Sequence, residues 1–161
     1  MLLRLLDEEP HWTVRSLGAA LDLDPAGVHR ALQRLEEARL VDAQRQQVNR
    51  SNAEEFLVHG LKYVFPVHQG GLVRGMPTAW AAPPLSEELA AVDEPPPVWP
   101  DPKGTERGVA LKPLHENAPR AAARDSKLAE RLALIDAIRL GDGRVRSLAA
   151  ESFSASLQDG A

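Results

Sequence analysis

The chain has 161 residues, a formal net charge of −4 and 43% hydrophobic residues, which suffices for the core of one ordinary domain, or of one small domain with an appendage. It has no cysteine, which excludes disulfides, thiolate zinc sites and a cysteine nucleophile. No stretch approaches the roughly 18 consecutive apolar residues of a membrane span, and the first residues are too acidic for a signal peptide, so we expect a cytoplasmic protein without membrane contact.

The charge is unevenly distributed along the chain. Residues 26–50 have five arginines against three acidic residues, whereas residues 81–102 have five acidic residues and no basic one. Residues 103–150 have ten basic residues against six acidic ones. The acidity is therefore concentrated in the middle of the chain, and a mildly basic segment precedes it.

The N-terminal third predicts three short helices and a hairpin. A run of leucines predicts the first helix, and residues 13–41 predict two amphipathic helices joined by a tight turn. Thr13 is a suitable N-cap for the first of these, and Asp24 followed by Pro25 is a suitable start for the second. Leu40 and Val41 then begin a strand, so that residues 42–49 form a polar wing. This is the layout of a winged helix-turn-helix, whose second helix enters the major groove of DNA.

The next elements are predicted from capping and turn residues. Ser51 with Glu54 three residues later predicts a capping box and a helix over residues 52–60. Residues 63–65 are aromatic or β-branched and favour a strand, and the adjacent Gly70 and Gly71 indicate a turn.

The remainder predicts a linker followed by a helical hairpin. Residues 77–119 contain ten of the thirteen prolines, so we expect an acidic, extended linker of polyproline character over residues 81–118. Helical periodicity returns on both sides of Gly141 and predicts a C-terminal hairpin that docks on the N-terminal domain or on its counterpart in a dimer. The expected domains are residues 1–60 (winged helix-turn-helix), 61–80 (β-hairpin or extended segment), 81–118 (linker) and 119–158 (helical hairpin). The fold class is mainly α with a small β-wing (α+β).

The outward face of the helix over residues 25–38 contains the candidate base contacts. Arginine can pair bidentately with guanine and glutamine with adenine, and small residues at the helix start allow close approach to the groove. The start of the preceding helix and the wing are suited to phosphates or to the minor groove. The candidate DNA-binding residues are Thr13, Arg15, Ala26, Gly27, His29, Arg30, Gln33, Arg34, Gln44, Arg45, Gln46, Gln47 and Arg50. The alternative interpretation of this pattern is an amphipathic helix with a solvated polar face.

Residues 13–41 resemble the winged helix-turn-helix of bacterial transcriptional regulators of the MarR-like and ArsR-like group, and the resemblance extends over about residues 1–50. It implies a homodimer on a pseudo-palindromic operator in double-stranded DNA, with residues 26–34 as the reading segment. The chain departs from the group at Arg39, where glycine is frequent, and we expect the turn into the wing to be reshaped there. The function predicted is sequence-specific regulation of transcription, as a repressor.

The alternative function is that of an antitoxin-like or adaptor protein. In this hypothesis the extended residues 77–119 wrap and neutralise a partner protein, and the protein also represses its own operon. Co-purification of a stoichiometric protein without DNA would favour this alternative. Single-stranded RNA binding is disfavoured because the basic regions lack stacking aromatic residues.

No pattern in the sequence favours catalysis, a metal or a cofactor. Ser51, Glu54 and His59 are the residue types of a hydrolytic triad, but their spacing provides neither a nucleophile elbow nor an oxyanion hole. The glycine-rich stretch at residues 70–78 lacks the Gly-Lys-Ser/Thr ending of a phosphate-binding loop. The five histidines are scattered without the spacing of metal ligands. We therefore expect a protein that is not an enzyme.

Overall fold

The computed structural model describes residues 1–7, 12–42, 44, 46–89 and 93–158. Its elements confirm the predicted fold class, because the chain is mainly helical with small sheets. The N-terminal part contains α1 (Leu2–Leu5), α2 (Val14–Leu21), α3 (Pro25–Glu37) and a two-stranded wing of β1 (Val41–Asp42) and β2 (Gln47–Val48). The predicted helix, turn, helix and wing are all present.

A continuous helical run follows the wing. It consists of α4 (Arg50–Glu55), a π-helical stretch (Phe56–Gly60) and α5 (Leu61–Val64). The N-cap is Asn49, whose side chain accepts a hydrogen bond from the Asn52 backbone N–H at 3.1 Å, so the predicted cap at Ser51 is wrong by two residues. The strand predicted at residues 63–65 is also wrong, because helical geometry continues to Val64 before Pro66 prevents its extension.

The middle of the chain forms a second, three-stranded sheet. It contains β3 (Gln69–Pro77), β4 (Pro97–Pro100) and β5 (Glu106–Leu111), with a 3₁₀ turn (Ala79–Ala81) and α6 (Leu85–Glu88) after β3. β3 pairs antiparallel with both β4 and β5, and β4 pairs parallel with β5, so the three strands close on one another. Gly70 and Gly71, predicted as a turn, lie within β3 at an irregularity of its pairing with β5.

This sheet changes the interpretation of the proline-rich segment. The chain is extended there as predicted, but part of the extension is paired in a sheet instead of forming a solvated polyproline linker. Pro97 and Pro100 are the first and last residues of β4, where a missing N–H interrupts pairing least. Val98 and Trp99 between them are buried, so the segment contributes to the core.

The C-terminal helices confirm the predicted hairpin. After α7 (Ala118–Ala122), α8 (Ser126–Leu140) and α9 (Gly143–Gln158) pack against each other across a short connection at Gly141. The stretch of α8 from Arg131 to Ile138 is buried without interruption. Such a helix has no solvated face, which explains why it lies at the centre of the molecule.

α8 joins the N-terminal part to the second sheet through two buried polar residues, Arg131 and Asp136. On the N-terminal side, Arg131 forms an ion pair with Asp7 at 2.8 Å and donates a hydrogen bond to the Leu3 carbonyl oxygen at 3.1 Å. Burial lowers the pKa of Arg131, and the nearby Asp7 opposes that shift. The hairpin therefore docks on the N-terminal segment of its own chain, one of the two arrangements expected from the sequence.

On the sheet side, α8 presents Asp136. Its carboxylate accepts hydrogen bonds from the Thr78 hydroxyl at 2.9 Å, the Trp99 Nε1–H at 2.7 Å and the Arg139 guanidinium at 2.7 Å. The Asp136 side chain is almost completely buried, and each donor comes from the sheet region or from the next turn of α8. These contacts fix the second sheet on the central helix.

Within the part of the chain that the structure describes, no helix has both the length and the apolar composition needed to cross a membrane.

Candidate nucleic-acid interface

The first helix of the motif, α2, begins with a reciprocal cap. The Thr13 hydroxyl accepts a hydrogen bond from the Ser16 backbone N–H at 3.0 Å, and the Ser16 hydroxyl accepts one from the Thr13 N–H at 2.9 Å. Two N–H groups that the start of a helix leaves without partners are thereby satisfied. Thr13 and Arg15 are both exposed, so this helix start is accessible to a phosphate.

Gly18 allows the turn of the motif to fold back on α2. A Cβ atom at this position would lie 2.8 Å from the Leu23 carbonyl oxygen, which belongs to the backbone of the turn. Asp22 reverses the chain with a left-handed φ of 52°, and the Leu23 N–H then donates to the Gly18 carbonyl at 3.0 Å. The tight turn therefore depends on the absence of a side chain at residue 18.

The second helix, α3, presents the predicted reading face to solvent. Asp24 caps the helix by accepting a hydrogen bond from the Gly27 N–H at 2.6 Å, and Val28 and Leu32 are buried in the core. Gly27 is half-buried next to this cap. The exposed residues of α3 include Ala26, His29, Arg30, Gln33 and Arg34.

The polar groups of this face differ in their availability. Gln33 Nε2 donates a hydrogen bond to Glu37 Oε1 at 3.0 Å, one turn further along the helix. Among the described residues, the guanidinium groups of Arg30 and Arg34 have neither an ion pair nor a hydrogen bond. Two arginines can therefore contact an external acceptor without first breaking a contact to the described chain.

The wing is short and polar. Val41 pairs with Val48 and Asp42 with Gln47 in the antiparallel ladder, and the Gln44 and Gln47 side chains are exposed. Gln46 has a left-handed φ of 53°, and its Nε2 donates a hydrogen bond to the Trp12 carbonyl oxygen at 3.1 Å. Gln46 therefore ties the wing to the start of α2. Arg45 lies outside the described residues.

Comparison with known proteins agrees with this geometry. Residues 1–50 match the family model described as the MarR family, which is about a third of the chain. The N-terminal segment is MarR-like. It is the winged-helix segment of a transcriptional regulator. Searches of the curated proteins and of the solved structures found no match to the chain.

The MarR-like segment keeps a regular turn into its wing despite Arg39. Arg39 adopts a left-handed φ of 57°, the Arg39 N–H donates to the Glu36 carbonyl at 2.9 Å, and the Leu40 N–H donates to the Leu35 carbonyl at 2.8 Å. This is the Schellman pattern, which glycine usually completes. The expectation that a side chain at residue 39 reshapes the turn is therefore wrong, because arginine adopts the left-handed conformation instead.

Arg50 lies at the end of the matched segment and faces the interior. Its Nη1 donates to the Leu157 carbonyl oxygen at 2.9 Å, and its Nη2 donates to the Leu6 carbonyl oxygen at 3.3 Å. The side chain thus joins the beginning of α4 to α9 and to the end of α1. Arg50 is therefore engaged within the chain and is not a proposed DNA contact.

Two asparagines at the ends of α3 were not identified from the sequence. Asn117, which precedes α7, donates from Nδ2 to the Asp22 carbonyl oxygen at 2.6 Å and to the Leu21 carbonyl oxygen at 3.4 Å. Asn52 of α4 donates from Nδ2 to the Arg39 carbonyl oxygen at 3.0 Å. No local pattern indicates such pairs, because Asn117 lies 95 residues from Asp22 along the chain.

A cavity of about 590 Å³ lies along one flank of α3, between the MarR-like segment and later parts of the chain. On α3 its lining includes Arg30, Ala31 and Arg34, and its other walls include Leu61 and Leu114. This flank of the helix is therefore not tightly packed against another helix.

Within the described residues, no three His, Asp or Glu side chains are grouped so that they could hold a metal ion. His11 lies outside those residues. The absence of a metal, a cofactor and an enzymatic activity stays a prediction.

Proposed function

We propose that this protein binds double-stranded DNA in a sequence-specific manner, with α3 in the major groove. The observation that supports this most strongly is the exposed polar face of α3, presented after a tight helix-turn-helix within a MarR-like segment. A helix whose one face is buried and whose other face carries free arginines has the shape and the donors that groove recognition needs.

The proposed base contacts are Arg30, Gln33 and Arg34. Arginine pairs with the O6 and N7 atoms of guanine, and glutamine pairs with the N6 and N7 atoms of adenine. Gln33 would exchange its contact with Glu37 for a base, whereas both arginines are available without such an exchange. His29 lies on the same face, and Ala26 and Gly27 keep the start of the helix narrow enough for close approach to the groove.

The proposed backbone contacts flank the reading helix. The exposed start of α2, with Thr13 and Arg15, is suited to a phosphate because the positive end of the helix dipole lies there. The wing residues Gln44, Arg45 and Gln47 would contact the adjacent sugar-phosphate backbone or the minor groove of the DNA. These contacts orient the protein on the duplex and carry little sequence information.

We further propose that the protein acts as a homodimer and a repressor. One MarR-like segment has few cationic side chains for contact with DNA. Two copies bound to a pseudo-palindromic site would together supply the affinity that a single copy lacks. The large exposed apolar residues Tyr63, Val64, Phe65 and Leu72 support a contact with a second copy. Repression is the simpler outcome, because a protein that occupies a promoter blocks it by exclusion alone.

Selection of bound sequences from a random DNA pool tests the proposal. We expect enrichment of a symmetric site, since a dimer presents two identical reading helices. In gel-shift titrations, R30A or R34A should reduce discrimination between the selected site and a site with one changed base pair by about tenfold, which corresponds to one bidentate contact. R45A should instead weaken binding to all sequences similarly.

R144A provides the matched control for these variants. Arg144 is an exposed arginine on α9, and its loss removes the same charge without changing the reading face. Equal binding of R30A, R34A, R45A and the parent protein to the selected site would refute the assignment.

The alternative, an adaptor that wraps a partner with residues 77–119, receives no specific support from the contacts. β4 and β5 of that segment pair with β3 and with each other, and Val98 and Trp99 are buried within the same chain. The described part of the segment is therefore ordered by contacts within the same chain, and these contacts do not favour the adaptor hypothesis over DNA binding.

A further inference from the structure

The reading helix α3 has few tertiary supports along its length. In the described structure it packs mainly against α2 and against β1 of the wing, and its remaining flank borders the cavity beside Ala31. Val28 and Leu32 hold the buried side of the helix in the core, and the contacts at its two ends complete the support that orients it.

The N-terminal end of α3 is held through the turn that precedes it. α2 ends at Leu21, and the last carbonyl groups of a helix have no partner within that helix. Asn117 Nδ2 donates to two such carbonyl oxygens, those of Leu21 and Asp22, with the shorter distance of 2.6 Å to Asp22. The start of α3 itself is capped by Asp24. The Asn117 contact therefore acts on the backbone between the two helices and holds the junction of α2 and α3 in place.

The Asn117 amide is oriented by its own surroundings. Its Oδ1 accepts a hydrogen bond from Arg120 Nη2 at 2.9 Å, so Nδ2 must face the turn. Its backbone N–H donates to His115 Nδ1 at 3.1 Å. The donor is thus held in position before it meets the carbonyl groups of the turn.

Two ion pairs surround the same junction but contribute less. Arg120 Nε lies 3.4 Å and Arg124 Nη2 lies 3.0 Å from Asp22 Oδ2. The two arginine side chains are 69% and 51% exposed, so water and salt screen the attraction. Asn117, whose donor meets backbone groups that need a partner, is therefore the principal contact.

We propose that Asn117 is a positioning residue for DNA reading: it couples the α7 region to the helix-turn-helix and sets the orientation of α3. This inference rests on the proposed function, and it assigns part of the sequence discrimination to a residue outside the MarR-like segment. Asn52, which holds the Arg39 carbonyl at the other end of α3, provides the second fixed point.

Hydrogen exchange in the full-length protein tests the contact itself. N117A removes the donor, and N117D places an acceptor against two carbonyl oxygens. We expect the amides of residues 21–28 to exchange about fivefold faster in N117A, because that factor corresponds to the loss of one ordinary hydrogen bond. Exchange should be faster still in N117D. D22N and R124A, which remove only the ion pairs, should change exchange by less than about twofold. K127A removes an exposed cation away from the junction and is the matched control for R124A.

DNA binding tests the consequence for reading. N117A should lower the affinity for the selected site about fivefold and change non-specific binding by less than twofold, because it alters orientation and removes no phosphate contact. A uniform loss on all sequences would show a merely structural role and overturn the inference.

The two hypotheses fail in different ways. If the parent protein selects no DNA sequence, the proposed function fails, and the positioning role fails with it even if exchange in N117A is faster. If the parent protein binds a selected site but exchange over residues 21–28 is unchanged in both N117A and N117D, only the inference about Asn117 fails. If N117D does not fold, N117A alone decides.

Discussion

Arg39 is one of four non-glycine residues with a left-handed backbone conformation among the described residues. An L-residue in this conformation has its Cβ close to the following carbonyl oxygen, which costs about 1–2 kcal/mol. The two backbone hydrogen bonds that end α3 hold Arg39 there, and its carbonyl is in turn held by Asn52. The strain is thus retained at the junction between α3 and the wing.

R39G should therefore stabilise the protein. We expect the free energy of unfolding to rise by about 1 kcal/mol, because glycine adopts the left-handed region without the Cβ penalty. Urea denaturation followed by far-ultraviolet circular dichroism measures this. R34G provides the control, since the same substitution inside α3 should lower stability by about 1 kcal/mol. A lower midpoint for R39G than for the parent would contradict this account.

At the scale of elements, α8 determines how the rest of the chain is assembled. It is buried along most of its length, and a helix of that kind needs partners for its polar groups as well as for its apolar ones. Asp136 obtains three donors, yet burial still raises the pKa of its carboxyl above the ordinary value of 3.8, against the opposing effect of Arg139.

This raised pKa predicts the sign of a pH dependence. Between 3.8 and the higher value in the folded state, the folded chain binds more protons at Asp136 than the unfolded chain does. The stability that this protonation contributes is fully present below the unfolded-state value and is lost as the pH rises through the folded-state value. The free energy of unfolding of the parent, relative to that of D136N, should therefore fall as the pH rises above about 4.

Urea denaturation at a series of pH values measures this difference, and D93N, which changes an exposed carboxylate, is the control. A parent protein that gains stability relative to D136N over the same pH range would show that the three donors outweigh the burial.

At the scale of the whole molecule, local sequence signals predicted most of the helices, but they also predicted a wrong cap at Ser51 and a wrong strand at residues 63–65. The long-range pairings were not predicted. The caps of α2 and α3, the exposed polar face of α3 and the C-terminal hairpin all follow from periodicity and capping residues within one turn or one element. β4 was not predicted because prolines disfavour a strand. Pro97 and Pro100, however, lie only at its two ends. Within the site, the face of α3 was predictable, whereas Asn117 was not, because tertiary packing alone brings it to Asp22.

The contacts of α8 also predict that the described parts unfold together. In urea, the loss of helix measured by circular dichroism should coincide with the change in tryptophan fluorescence, which reports on Trp12 near the motif and on Trp80 and Trp99 near the second sheet. A shared midpoint is expected because one buried helix contacts both regions. Two separated transitions would show that the N-terminal part and the second sheet are independent units.

The link between Arg131 and Leu3 has a consequence for the order of folding. These residues are 128 positions apart, and Arg50 binds the Leu157 carbonyl across 107 positions. Contacts of such long sequence separation are associated with slow folding, because the loop that they close must be ordered first. During synthesis, α1 emerges long before α8 and α9 exist. The N-terminal helices therefore acquire their complete support only after nearly all of the described chain has been made.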